Sequence, residues 1–134
     1  MKLGQYPDAF YRVSVKAVIK DSTGSVLVVQ ENKDWTLPGG GIDHGESPLV
    51  ALKRELSEEV LIDTHFSAFF LGTESFYVES KNMMALWLLY EVIVADKEFN
   101  FGAGEDADDV RFRKPNDFKH SQSLFEQIIY RYAK

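Results

Sequence analysis

Alternation of apolar and polar residues dominates the first third of the chain. Tyr11 to Lys20 alternates and is rich in β-branched side chains, Asp21-Ser22-Thr23-Gly24 has turn composition, and Ser25 to Gln30 is a second β run. The pattern predicts a hairpin. Glu31 to Asp34 reads as a polar link, and Trp35-Thr36-Leu37-Pro38 as a short strand leading into a glycine-rich turn at Gly39-Gly40-Gly41. From Ser47 the period changes from 2 to 3.6. Ser47 suits an N-cap and Pro48 the first helical position, where its missing N–H costs nothing. Leu49, Leu52, Leu56 and Val60 then form one apolar stripe at about 100° per residue.

Beyond Ile62 the β pattern returns. Phe66 to Glu79 and Met84 to Ala95 read as antiparallel strands, the first interrupted at Gly72, with Ser80-Lys81-Asn82 as their turn. Asp96 to Asp109 is a polar, acidic loop. Val110-Arg111-Phe112-Arg113 predicts a last short strand, Pro115-Asn116-Asp117-Phe118 a helix opening, and Ser123 to Ala133 an amphipathic helix with Leu124, Ile128 and Tyr132 on one face. A mixed sheet with two helices is an α/β sandwich.

At 134 residues and 45% hydrophobic content the chain supports one domain, residues 1-134, with a real core. There is no cysteine, which excludes disulfides and thiolate metal sites and suits a reducing cytoplasm. No early run resembles a signal peptide, and apolar runs stay far below the roughly 18 residues of a membrane span. The net charge of −6 argues against an extended nucleic-acid surface. A homodimer is compatible with the pattern but not fixed by it.

The candidate chemistry lies on the first helix. Glu55, Glu58 and Glu59 share an arc of roughly 100° beside the apolar stripe. Like charges at these spacings cost a few tenths of a kcal/mol per pair, so the cluster does little for stability alone. A hard cation reverses the sign, because Mg²⁺ and Mn²⁺ take oxygen ligands and leave positions for water and phosphate. The alternative is a solvated acidic face with Arg54 paired to Glu58.

Gly40, Glu46, Arg54, Glu55, Leu56, Glu58, Glu59 and Ile62 together shift the balance, since their spacing resembles the Nudix box: Gly, five residues, Glu, seven residues, Arg-Glu-aliphatic, one residue, Glu-Glu, one residue, Gly, aliphatic. One position departs, with Leu61 where the pattern has Gly. That Gly ends the helix in a left-handed conformation, which costs another residue roughly 1 kcal/mol.

The resemblance implies an αβα sandwich with a mixed sheet and a hydrolase acting on a nucleoside diphosphate linked to another group. It implies Glu55, Glu58, Glu59 and the Gly39 carbonyl as ligands of Mg²⁺ or Mn²⁺, and one of the three glutamates, best Glu58, as base for the attacking water. Arg54 reads as an orienting partner, and Glu46 as either support for it or a partner of the helix dipole. Gly40, Gly41, Glu46 and Trp35 are candidate substrate contacts, with core packing the alternative for Trp35. Glu105 and Asp109 of the acidic loop are candidates for a further acidic contribution. His44, in the glycine turn, is read as an exposed loop residue, and His65 and His120 have no partner pattern.

Among substrates, small nucleoside triphosphates lead. The stretch Ser75 to Ser80 lacks the proline that marks ADP-ribose hydrolases in this family, and Tyr77 is only a weak match to the diadenosine polyphosphate marker. Two other classes stay open: a catalytically silent nucleotide-binding module, and an RNA 5′-end pyrophosphohydrolase, which the acidic balance disfavours.

Overall fold

A computed structural model of the protein describes residues 10–134. The expectations that the domain includes residues 1–9, and that these hold no signal-like run, concern residues outside the described ones.

Among the described residues, seven strands and two longer helices follow in the order β1 (Tyr11–Val18), β2 (Val26–Glu31), β3 (Asp34–Thr36), β4 (Gly39–Gly41), α1 (Pro48–Val60), β5 (Phe66–Val78), β6 (Met83–Val94), β7 (Asp109–Arg113) and α2 (Leu124–Ala133). Short 3-10 turns occupy Glu79–Lys81 and Pro115–Phe118. The strands form two sheets. One is four-stranded and mixed, in the order β4-β1-β6-β5 with β1 parallel to β6; the other is antiparallel, in the order β3-β2-β7.

The predicted hairpin is thereby corrected. The turn exists, since Asp21 Oδ1 accepts from the Thr23 and Ser25 N–H groups at 2.9 Å. However, β1 and β2 share only the Lys20–Val26 bridge before they separate. Both edges of β1 are taken by β4 and β6, and both edges of β2 by β3 and β7. Periodicity reports that a strand exists; it is silent about which neighbour claims its edge.

Alternation along β1 and β2 serves two cores at once. Val15, Ala17, Ile19, Leu27 and Val29 pack against Ala51, Leu52, Leu56 and Val60 of α1. Val18, Val26 and Val28 face the other way, toward Leu37, Trp87, Leu89, Phe118 and the α2 residues Ile128 and Ile129. The interruption foreseen at Gly72 is a bulge within one continuous strand. Phe70 pairs with Tyr90 and Gly72 with Leu89, so Leu71 is the extra residue. Phe66 and Ala68 before it join the α1 core, while Phe76 and Val78 after it join the α2 core. One inserted residue switches the buried face between the two helices.

Helix α1 starts as its sequence specifies, with Ser47 Oγ accepting from the Val50 N–H at 3.3 Å. Its buried arc is displaced from the predicted stripe. Leu49 is 53% exposed, because the first turn runs past the sheets, whereas Ala51 and Glu59 are buried. A similar shift corrects α2, where Leu124 is exposed and Ile128, Ile129 and Ala133 are the buried residues. At the end of α1, Leu61 adopts φ 59° and ψ 34°, the left-handed conformation for which the resembled motif has Gly, and the Ile62 N–H donates to the Leu56 carbonyl at 3.0 Å.

Because Leu61 is half-exposed, the strain is not repaid by deep burial. Leu61→Gly is therefore expected to raise stability, by up to about 1 kcal/mol after the extra unfolded-state entropy of Gly is counted. Urea denaturation reads this as a higher midpoint with an unchanged slope, and a lower midpoint would refute it.

Candidate active site

The predicted glycine turn is a strand. Gly39–Gly41 form β4, paired antiparallel to β1 with Ser14 opposite Gly41, Val15 opposite Gly40 and Lys16 opposite Gly39. The ladder is bracketed by Ala17 N–H to the Pro38 carbonyl and Ile42 N–H to the Val13 carbonyl, both 2.9 Å. In an antiparallel pair only alternate residues bond across it, so Gly39 turns both its N–H and its carbonyl away from β1. The N–H donates to Glu59 Oε1 at 2.8 Å. The Gly39 carbonyl thus lies on the edge that meets α1.

Two of these glycines make close approaches, Gly39 to backbone and Gly40 to a side chain. Gly39 has φ +141°, and a β-carbon there would stand 1.9 Å from the Val15 carbonyl oxygen. Gly40 lies directly under Glu55, where a β-carbon would sit 2.5 Å from the carboxyl carbon. Gly41 faces Arg12, whose Nη1 donates to the Ile42 carbonyl at 3.0 Å.

Arg54 organises the exposed side of the helix. Its Nε and Nη2 donate to the two oxygens of Glu46 at 2.8 and 2.9 Å, Nη2 also to the Gly41 carbonyl at 3.0 Å, and Nη1 to Glu55 Oε1 at 3.0 Å and Glu58 Oε2 at 3.2 Å. Glu46 is the forked partner of Arg54, and it also accepts the Asp43 N–H at 2.8 Å. Those hydrogen bonds, the one from Arg54 first, hold the Glu46 carboxyl down to about 2, and the same carboxylate raises the guanidinium further above its usual range.

The three glutamates differ in environment. Glu58 is 55% exposed at its side chain and Glu55 16%, while Glu59 as a residue is only 6% exposed. Burial pushes the Glu59 carboxyl up to about 8, with neighbouring Glu31 raising it too, against the opposing pull of Lys16 and the Gly39 N–H. Among the described residues no three carboxylates, imidazoles or thiolates close around a single point. Glu55 and Glu58 instead share Arg54 Nη1, and Glu59 turns to Gly39. The donors nonetheless suit a hard cation: all are oxygens, and one is a buried carboxylate without a full counter-charge.

A pH dependence follows for the metal-free protein. A folded-state value raised from 4.5 to about 8 favours the protonated form, so this contribution is complete below about 4.5 and is lost as pH rises through about 8. Melts in chelator between pH 5 and 9 should show wild-type stability falling over this window, with the slope reduced in Glu59→Gln. Equal slopes in the two proteins would contradict the burial argument.

The remaining candidates are more dispersed. Glu105 N–H donates to the Glu58 carbonyl at 3.2 Å, bringing the acidic loop against the end of α1, whereas Asp109 is paired with Arg111 on β7. Trp35 lies on the α2 side, with the Arg111 and Arg113 guanidinium groups 5.4 and 5.3 Å from its ring centre and its backbone N–H donating to Glu126 Oε2. A cavity of about 710 Å³ lined by Val18, Lys20, Ile93, Phe99, Phe101 and Phe112, among others, is remote in the chain from the glutamates, none of which lines it. Sequence reasoning missed Arg12, Lys16 and Glu31. The only signal for Lys16 was a charge inside the buried run Val15 to Ile19; for Glu31 it was continuation of the α1-facing row Leu27, Val29.

Fold and site define a class: an α/β sandwich that lays a carboxylate-bearing helix on a glycine strand. The NUDIX domain family model matches residues 10–132, and the chain belongs to that family. An RNA pyrophosphohydrolase of Rhodopseudomonas palustris (strain BisB18) is 31% identical over 97 residues, 66% of this chain and 48% of the relative. The chain thus spans about half the length of that relative. Among solved structures, the MutT protein from Methanosarcina mazei Go1 superposes with TM-score 0.75 at 20% identity, covering 94% of this chain and 95% of the other. The E. coli ORF135 protein gives 0.72 at 19%, covering 96% and 91%. At such identities these two show the fold.

Proposed function

We propose that the protein is a divalent-cation-dependent pyrophosphohydrolase that cleaves the phosphoric anhydride of a nucleoside diphosphate linked to another group. The observation that carries this reading is the buried Glu59 carboxylate, held by the Gly39 N–H beside a Gly39 carbonyl facing the same edge. A structural acid gains nothing from such desolvation, whereas a cation site does.

When bound, Mg²⁺ or Mn²⁺ supplies Lewis acidity at a phosphate oxygen and makes hydroxide available near neutrality. Glu59, Glu55 and the Gly39 carbonyl would hold it. Glu58, the most solvent-accessible of the three, accepts the proton of the attacking water, and Arg54 keeps Glu55 and Glu58 oriented by donating to both. For the organic part, Tyr11, Met84 and Tyr77 form one row across β1, β6 and β5, and both tyrosines are at least half exposed. That apolar row suits a nucleobase.

The likeness to an RNA pyrophosphohydrolase brings RNA forward as a second substrate class. Against a long RNA track, Arg111 and Arg113 are each paired with an aspartate, and the chain carries a net charge of −6. Among the described residues no helix is long and apolar enough to cross a membrane. The test is product release with Mg²⁺ from nucleoside triphosphates, dinucleotide polyphosphates, sugar nucleotides and 5′-triphosphorylated RNA, comparing wild type with Glu58→Gln. Activity confined to wild type supports the reading. Equal inactivity of both proteins on every substrate favours a silent binding module.

A further inference from the structure

Lys16 is a buried cation that the chemistry above does not use. It is 6% exposed, in the middle of β1, among residues that are themselves fully buried. Its Nζ donates to the Leu37 carbonyl at 3.3 Å and stands 4.6 Å above the Trp87 ring. Among the described residues it makes no ion pair. One carbonyl and one aromatic face are poor compensation for a desolvated ammonium. Its register partner across the ladder is Gly39, whose N–H donates to Glu59 Oε1 at 2.8 Å, so this cation sits one rung from the residue that anchors the buried carboxylate.

We infer that Lys16 is a fixed internal cation that weakens the hold of the glutamate site on its divalent ion, so that the ion is bound exchangeably. This rests on the cation site proposed above. The physical reason is repulsion: a positive charge behind Glu59 already satisfies part of the negative field that the incoming ion must use, in a setting where water screens little. Lys16 is too buried to reach a substrate phosphate, so it acts on the ion through Glu59 as a positioning residue.

The test is direct titration of the purified chain with Mn²⁺, reading free ion by electron paramagnetic resonance at fixed ionic strength. Lys16→Met removes the charge; Lys16→Gln removes it but keeps a donor for the Leu37 carbonyl. Both are expected to bind Mn²⁺ at least tenfold more tightly than wild type, and Lys16→Arg to bind it as wild type does. A residue that merely held the local structure would weaken binding in Lys16→Met and leave Lys16→Gln unchanged. A second readout covers variants that fold poorly without metal: saturating Mn²⁺ should raise their melting temperature by more than it raises that of wild type. Unchanged or weaker affinity, with no larger melting shift, overturns the inference while leaving the cation site intact. Failure of wild type itself to bind Mn²⁺ overturns both.

Discussion

Glu58→Gln is expected to lower kcat by at least about tenfold while leaving folding almost untouched. The substitution keeps the size and a hydrogen-bonding carbonyl but removes the charge and the ability to take a proton. The side chain is 55% exposed, and its ion pair with Arg54 at 3.2 Å is of the i,i+4 kind that contributes little in solvent. Its stability change should therefore stay within about 0.5 kcal/mol. Because the group acts on the attacking water, kcat and kcat/KM should fall together and KM stay near wild type. Steady-state kinetics with thermal melts on the same preparation check both halves. Wild-type kcat would remove Glu58 from the mechanism, and a fall confined to KM would make it a binding group.

Gly39→Ala has the largest expected effect on the fold. The new β-carbon meets the Val15 carbonyl oxygen at 1.9 Å, and φ +141° is strained for any residue with a side chain. Both clashing groups are backbone, so no rotamer change relieves them. The β4–β1 pairing must open, at a cost of about 3 kcal/mol or more. Opening it also displaces the N–H that anchors Glu59. Gly40→Ala is the informative contrast, since its β-carbon meets only the Glu55 carboxyl, a side chain that can swing away. That variant should keep most of its stability and lose turnover. Urea denaturation of both, with activity, separates the cases; Gly39→Ala as stable as wild type would refute the close-approach argument.

How much of this was legible in the sequence depends on the range of the interaction. The start of α1 was readable because Ser47 and Pro48 act within one turn. The three glutamates were readable because their relation is set by helical pitch. The partner of β1 was not, because β6 lies some seventy residues downstream and parallel pairing leaves no local turn signal. The switch of buried face at Leu71 was visible only as a break, since alternation cannot say which helix covers each half. Leu49 illustrates the converse: it fits the apolar period but lies where the helix has no sheet beneath it. Glu31 and Lys16 were hidden for the same reason as the strand pairing. Their role comes from meeting Glu59 in space, and neither lies within a helical turn of it.

The central claim is that Glu55, Glu59 and the Gly39 carbonyl hold the divalent ion that promotes phosphoric anhydride cleavage, with Glu58 beside them as the base. The most direct measurement is anomalous scattering from a crystal of the protein equilibrated with Mn²⁺. The account predicts a peak within bonding distance of Glu59, Glu55 and the Gly39 carbonyl, with Glu55 or Glu58 drawn off Arg54 toward it. A peak elsewhere, or saturating Mn²⁺ that leaves both carboxylates on Arg54 and no density at Glu59, would contradict it.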